Sequence, residues 1–213
     1  MLAVFAPALR RALADGLALD WLLAASPANG LCPELSGEGL SDPDPLPWWA
    51  AGSYAGELRC RLLRLRRSPD PRAMAELTPG LVAGLRRDFA GRATRPLLVP
   101  IPSWKQRGNP LPPLLGRLLA RQLGWRVSGG LHRSRPVLGQ HHLGRELRWA
   151  NQAGAFRADP PTAGRSGPRP TLLLVDDILT TGATAIAAAA ALQAAGWRVA
   201  GMACLGRTPL AGP

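Results

Sequence analysis

The 213-residue sequence has almost no lysine, few cysteines and no long apolar run. Its 26 basic residues are 25 arginines and the single Lys105. A biased nucleotide composition accounts for arginine in place of lysine, so that absence alone indicates no partner. Cys32, Cys60 and Cys204 are odd in number and far apart, which argues against a disulfide framework and a paired-cysteine metal motif and fits a reducing compartment. No stretch approaches the roughly 20 apolar residues that a membrane span needs. The opening MLAVFAPALRRALADG places its arginines after a short apolar stretch, the reverse of a secretion signal. A cytoplasmic protein is expected.

The most informative absence is that of acids. Between residues 91 and 157, eleven arginines and Lys105 face only Glu146, so this segment carries +11 of the total +12. Elsewhere bases and acids nearly balance. Composition bias explains arginine over lysine, but it does not remove acids from one stretch. A field of this sign attracts phosphate, whether on a small metabolite or on nucleic acid.

Residues 2–25 have Leu9, Leu13, Leu17 and Trp21 at helical spacing, which predicts an amphipathic helix. SPANGLCPELSGEGLSDPDPLP (26–47) is rich in Pro, Gly, Ser and Asp and reads as a loop. Helices are expected over 54–67 and 71–91. From Arg95 onward, short apolar runs at 96–102, 125–131, 154–158, 171–178 and 197–207 alternate with helical stretches at 111–123 and 183–195. A basic polar loop lies before residue 150, and a Pro/Gly-rich one spans 159–170. Alternating strands and helices predict an α/β fold, a parallel sheet covered on both faces. Leu172–Val175, apolar on consecutive residues, has the character of a central strand. The expected organisation is a helical region over 1–90, with residues 26–50 as loop, followed by an α/β domain over 91–213.

The run TLLLVDDILTTGAT (171–184) ends a buried strand in two acids. In open parallel sheets, ligands bind beyond the carboxyl ends of the strands. Thr180, Thr181, Gly182, Ala183 and Thr184 then form a turn into a helix, whose N-terminal N–H groups suit a phosphate monoester. Asp176 and Asp177 can accept hydrogen bonds from sugar hydroxyls or hold a water-coordinated Mg²⁺. Taken singly, Asp-Asp before a turn is an ordinary cap, and Thr-Thr-Gly an ordinary turn.

The complete string, a hydrophobic strand followed by Asp-Asp-x-x-Thr-Thr-Gly-x-Thr, resembles the phosphoribosyl pyrophosphate (PRPP) motif of type I phosphoribosyltransferases. LHRSRPVLGQHHLGRELRWANQAGAF (131–156) resembles the pattern that precedes this motif in the competence-associated ComF family, with Leu131, Arg133, Gln140, Leu143, Arg148, Asn151 and Phe156 in place. LLVPIPSWKQRGNP and YAGELRCRLLRLRR, the latter with Tyr54, Gly56, Leu58, Leu62 and Leu63, resemble that family's first strand and earlier helix. The resemblance covers residue 54 to the C-terminus. It implies a type I phosphoribosyltransferase-like sheet flanked by helices, with a helical N-terminal extension. In that family the two acids contact the ribose hydroxyls and the threonine-glycine turn wraps the 5′-phosphate.

By the same resemblance, the 102–109 loop, with Lys105 and Arg107, approaches the pyrophosphate. The 132–150 loop closes over the ligand, with Arg133, Arg135, Arg145 and Arg148 as a phosphate clamp whose guanidinium forks match phosphate oxygens. The implied cofactor is Mg²⁺ bound with PRPP. The implied role is DNA uptake during transformation, with single-stranded DNA as a possible ligand and an ATP-driven competence motor or helicase as partner. The alternative is an active transferase of phosphoribose to a nitrogen acceptor, although no residue stands out as the base that would activate one. Two departures are visible. Many ComF proteins begin with a four-cysteine zinc module, whereas only Cys32 lies in that region, and four ligands are needed, so no zinc is expected. The family's Arg-Gly-Phe-Asn-Gln appears as Arg107-Gly108-Asn109-Pro110.

His132, His141 and His142 are a weak metal set, because adjacent histidines point in different directions. Trp104 and Trp149 are open to base stacking or to packing, and Cys204 reads as core.

Overall fold

The apolar run before the two acids is the middle of the sheet. The computed structural model describes residues 32–43, 46–103, 108–135, 152, 154–161 and 170–208. The elements are β1 (Leu35–Asp42), β2 (Trp48–Ser53), α1 (Gly56–Arg67), α2 (Pro71–Ala75), α3 (Pro79–Asp88), β3 (Leu97–Pro100), α4 (Leu111–Leu123), β4 (Arg126–Val127), β5 (Leu131–Arg133), β6 (Phe156–Ala158), β7 (Leu172–Val175), β8 (Ile178–Leu179), α5 (Ala183–Ala194) and β9 (Val199–Arg207). The main sheet has the order β1-β2-β9-β7-β3-β4, with β8 beside β9. From β2 to β4 all pairings are parallel, and only β1 runs antiparallel. The mixed α/β architecture with helices against a mostly parallel sheet is therefore as expected.

Side chains alternate across the pleat, so each strand feeds two cores. Leu173, Val175, Ala203, Leu205, Trp49 and Ala51 pack with α1, α3 and α4 on one face. Leu172, Leu174, Met202, Cys204 and Ala50 pack with α5 and with the β5–β6 hairpin on the other. Phe89, fully buried, lies between Trp49 and Trp125, with ring centroids 5.2 and 5.3 Å away. All four residues of β7 are buried, as befits a strand covered on both faces. Cys204 is core, as the sequence suggested.

Two expectations are corrected. Residues 35–42, within the segment read as loop, and 48–53, which start in it, are strands that form an antiparallel pair. β2 also pairs along β9 from Trp48↔Met202 to Ser53↔Arg207. WWAAGS contains no β-branched residue, and β1 contains Gly37 and Gly39, so their strand character comes from tertiary pairing, which outweighs weak local propensity. Because β2 pairs with β9, the sheet is continuous across the expected boundary at 90/91. Residues 71–91 are two helices, not one. The break falls at Thr78-Pro79, where proline supplies no N–H and starts α3 at its first turn. The buried Thr78 hydroxyl donates to the Ala75 carbonyl at 2.8 Å and closes the corner. The predicted helix over 2–25 and most of the basic loop lie outside the described residues.

Candidate functional site

Because β2, β9, β7, β3 and β4 are parallel, their carboxyl ends share one edge. Asp176 and Asp177 emerge there from β7 and have very different surroundings. The Asp177 side chain is 2 % exposed. Its Oδ2 accepts from Arg66 Nε at 2.6 Å and from Asn109 Nδ2 at 3.0 Å, and its Oδ1 accepts from Arg66 Nη2 at 3.1 Å. Its carbonyl accepts from the N–H groups of Leu205 and Gly206, both at 3.0 Å. Burial pushes the Asp177 carboxyl up, but the Arg66 fork and Asn109 outweigh it and hold the group below the usual carboxylate range.

Asp176 is only partly buried. Its Oδ1 accepts the Asp177 N–H at 2.9 Å, its carboxyl lies beside that of Asp177, and no other group among the described residues donates to it. Burial, then the neighbouring Asp177 charge, pushes its carboxyl well above the ordinary range.

The turn after β8 is fixed from below. Arg207, at the end of β9, donates through Nη1 to the carbonyls of Leu179, at 3.2 Å, and of Thr180. The Leu179 carbonyl also accepts the Thr208 N–H at 2.9 Å. In a planar trans peptide the N–H points opposite the carbonyl, so the N–H groups of Thr180 and Thr181 face away from Arg207. Gly182 has φ +81°, a left-handed conformation that glycine adopts without strain. A Cβ there would meet nothing nearer than 3.8 Å, so backbone conformation, not space, calls for glycine. Thr181 Oγ1 lies 3.5 Å from the Ala183 N–H at the start of α5. The first-turn N–H groups of α5 have no intrahelical acceptors.

Arg133 flanks Asp176 from the hairpin. Its guanidinium lies 4.0 Å from the Phe156 ring centroid, donates to the Pro102 carbonyl at 2.9 Å, and donates to Gln152 Oε1 at 3.0 Å. Burial pulls it down to about 10, against the support of the Asp176 charge. The predicted clamp therefore has one described member at the site. Arg135 is described only at the foot of the loop, and Lys105, Arg107, Arg145 and Arg148 lie outside the described residues, as do His141, His142, Trp104 and Trp149. His132 is engaged with Asp159, 2.8 Å away, on the surface.

Among the described residues no group of three or more His, Cys, Asp or Glu side chains could hold a metal ion. Asp176 remains open to one, since Mg²⁺ needs only one or two carboxylates when a phosphate ligand supplies the rest. Beside the turn, Leu46, Trp48, Thr181, Ile186, Met202 and Arg207 line a cavity of about 40 Å³. This is room for a water or two, not for a planar base.

No family model matches the chain. It is 34 % identical over 176 residues to the "DNA utilization protein YhgH" of Salmonella typhi, covering 77 % of this chain and 74 % of that one. The YhgH proteins of Escherichia coli K12 and Shigella flexneri are 32 % and 31 % identical over 175 residues, with the same coverage. The chain belongs to the YhgH family of DNA utilization proteins. Among solved structures, an adenine phosphoribosyltransferase from Leishmania donovani aligns over 76 % of this chain and 72 % of its own, at 18 % identity and a TM-score of 0.34. That overlap is too loose to fix a shared fold.

Two site residues of this YhgH-family chain escaped sequence reasoning. Arg66 stands one turn after Leu62 and next to Leu65, on the flank of the buried stripe of α1 formed with Leu58. That helical position, not its charge, was the available signal. Asn109 looked like a departure from a motif. It joins Asp177 to the start of α4, where its Oδ1 accepts the Leu111 N–H at 3.1 Å. No helix among the described residues is long and apolar enough to cross a membrane.

Proposed function

We propose that this chain is a ComF-like protein of the type I phosphoribosyltransferase design. It would bind PRPP, or a similar ribose 5-phosphate ligand, with Mg²⁺ at the end of β7, and act in DNA uptake with contact to single-stranded DNA. One arrangement supports this above all. A central parallel strand ends in an acid with an open oxygen, followed by a glycine turn into a helix N-terminus, with arginines on both sides. The ribose 5-phosphate would sit on the Thr180–Thr184 turn, its charge met by the N-terminal N–H groups of α5. Mg²⁺ brought with the diphosphate would neutralise its charge, with Asp176 holding the ion through water. Lys105 and Arg107 would meet the pyrophosphate, and the clamp would comprise Arg133, Arg135, Arg145 and Arg148.

The YhgH relatives' name supports the DNA role, and so does the acid-poor segment 91–157. A cytoplasmic location and an ATP-driven partner motor follow from the same reading.

PRPP with Mg²⁺ is expected to raise the melting temperature of the wild type and to leave Asp176→Asn unmoved. An unshifted wild type would sink the sugar-phosphate reading. Single-strand binding should weaken with salt and in Arg145→Ala/Arg148→Ala, and indifference to both would remove the DNA contact. Pyrophosphate release with any nucleobase in a panel would restore the transferase reading.

A further inference from the structure

Resting on the reading of this edge as a sugar-phosphate site, we infer that its two adjacent acids divide the work. Asp176 meets the ligand, whereas Asp177 is a positioning residue, held by Arg66 and Asn109, that does not touch it. The Asp177 carboxylate already accepts three side-chain donors from two residues distant in sequence. At 2 % exposure, a sugar hydroxyl reaches it only by displacing Arg66 or Asn109. Its main chain is equally committed, with the carbonyl to β9 and the N–H to Asp176 Oδ1.

That last bond gives Asp177 its effect on the site. With one oxygen of Asp176 tied to the Asp177 N–H, the rotamer of Asp176 is set and its other oxygen is left for a ligand. Any shift of residue 177 moves the acid beside it.

Charge points the same way. Two bare carboxylates at one strand end would repel an incoming polyphosphate. Arg66 neutralises one of them, so the pair presents at most a single negative charge, opposite Arg133. Arg66 lies on α1, outside the 91–213 segment that carries the motif. The site is therefore incomplete without residues 56–67, even though the motif reads as self-contained.

The test is the affinity of the full-length protein for Mg²⁺-PRPP, measured by calorimetry, in the wild type and four variants. Asp176→Asn should bind about tenfold or more weaker, as for a lost hydrogen bond to a charged group. Arg66→Met should also weaken binding, and Arg66→Lys, which keeps the charge but not the fork, should fall between. The deciding variant is Arg66→Met/Asp177→Asn, which removes both charges together. It should return to within about threefold of the wild type. If it binds as poorly as Asp176→Asn, Asp177 contacts the ligand and the inference is overturned. A wild type that does not bind overturns the underlying site reading and the inference with it.

Should the double variant fail to fold, the Arg66 Nε–H resonance of the wild type, assigned by its absence in Arg66→Lys, decides. It should persist unshifted when Mg²⁺-PRPP is added. Its loss to solvent exchange would mean that the ligand displaces Arg66, and would refute the division.

Discussion

At the carboxyl ends of the strands, Arg66, Arg133 and Arg207 are drawn into the protein, each donating to a carboxylate, an amide or a carbonyl. At the amino ends, Arg95, Arg121, Arg126 and Arg198 are exposed and have no carboxylate partner among the described residues. One residue type thus serves two purposes. At the carboxyl edge it fixes geometry, because a planar fork loses little freedom for each bond it makes. At the amino edge, apart from the bond of Arg95 Nη1 to the Phe89 carbonyl at 3.2 Å, it contributes mainly field, which reaches about 8 Å at physiological salt. The difference follows from the acids. Asp176 and Asp177 end β7, while no acid occurs between Asp88 and Glu146, so the amino edge has little to pair with.

The largest effect that would break this contrast is in stability. Arg66→Met leaves Asp177 buried and unpaired, and should cost about 3–5 kcal/mol in urea unfolding, whereas Arg126→Gln at the other edge should stay within about 0.5 kcal/mol. Equal losses at the two edges would erase the distinction.

Next come opposite pH dependences of the two acids. Asp177, held below its unfolded value, adds stability above about pH 3.9, and that stability is lost as pH falls through its folded value. Asp176, raised in the fold, costs stability as pH climbs from about 3.9 through its folded value. Asp176→Asn should therefore be at least as stable as the wild type at pH 7, with the advantage disappearing near pH 4. An Asp176→Asn variant less stable at pH 7 would contradict the assigned direction.

The smallest effect concerns DNA. If the strand tracks the amino edge, replacing Arg121 and Arg126 by Gln should lower the salt dependence of single-strand binding. The slope should fall by about one unit for each phosphate no longer neutralised. An unchanged slope, with weakening only in Arg145→Ala/Arg148→Ala, would assign the contact to the basic loop instead.

The seat at 171–184 was legible because strand, acids, glycine turn and helix are contiguous and each follows a local rule. The bounds of α4, 111–123, were likewise set by local periodicity and by Gly124, left-handed at φ +69°. The β1–β2 pair was not legible, since parallel pairing with a strand about 150 residues later holds it, rather than its own alternation. The partners of Asp177 were hidden for a related reason. Arg66 is 111 positions away and Asn109 is 68, and nothing local marks either as a ligand of that carboxylate. The motif therefore showed both acids as equivalent, and tertiary contacts make them different.

Everything proposed for this edge depends on the open acid and the turn at the end of β7 holding a phosphorylated sugar. The deciding quantity is the melting temperature with and without Mg²⁺-PRPP, compared between the wild type and Asp176→Asn. A saturable rise is expected in the wild type that needs both Mg²⁺ and PRPP and is absent in a folded Asp176→Asn. A wild type that PRPP does not stabilise, or an Asp176→Asn variant that it stabilises equally, would contradict that role.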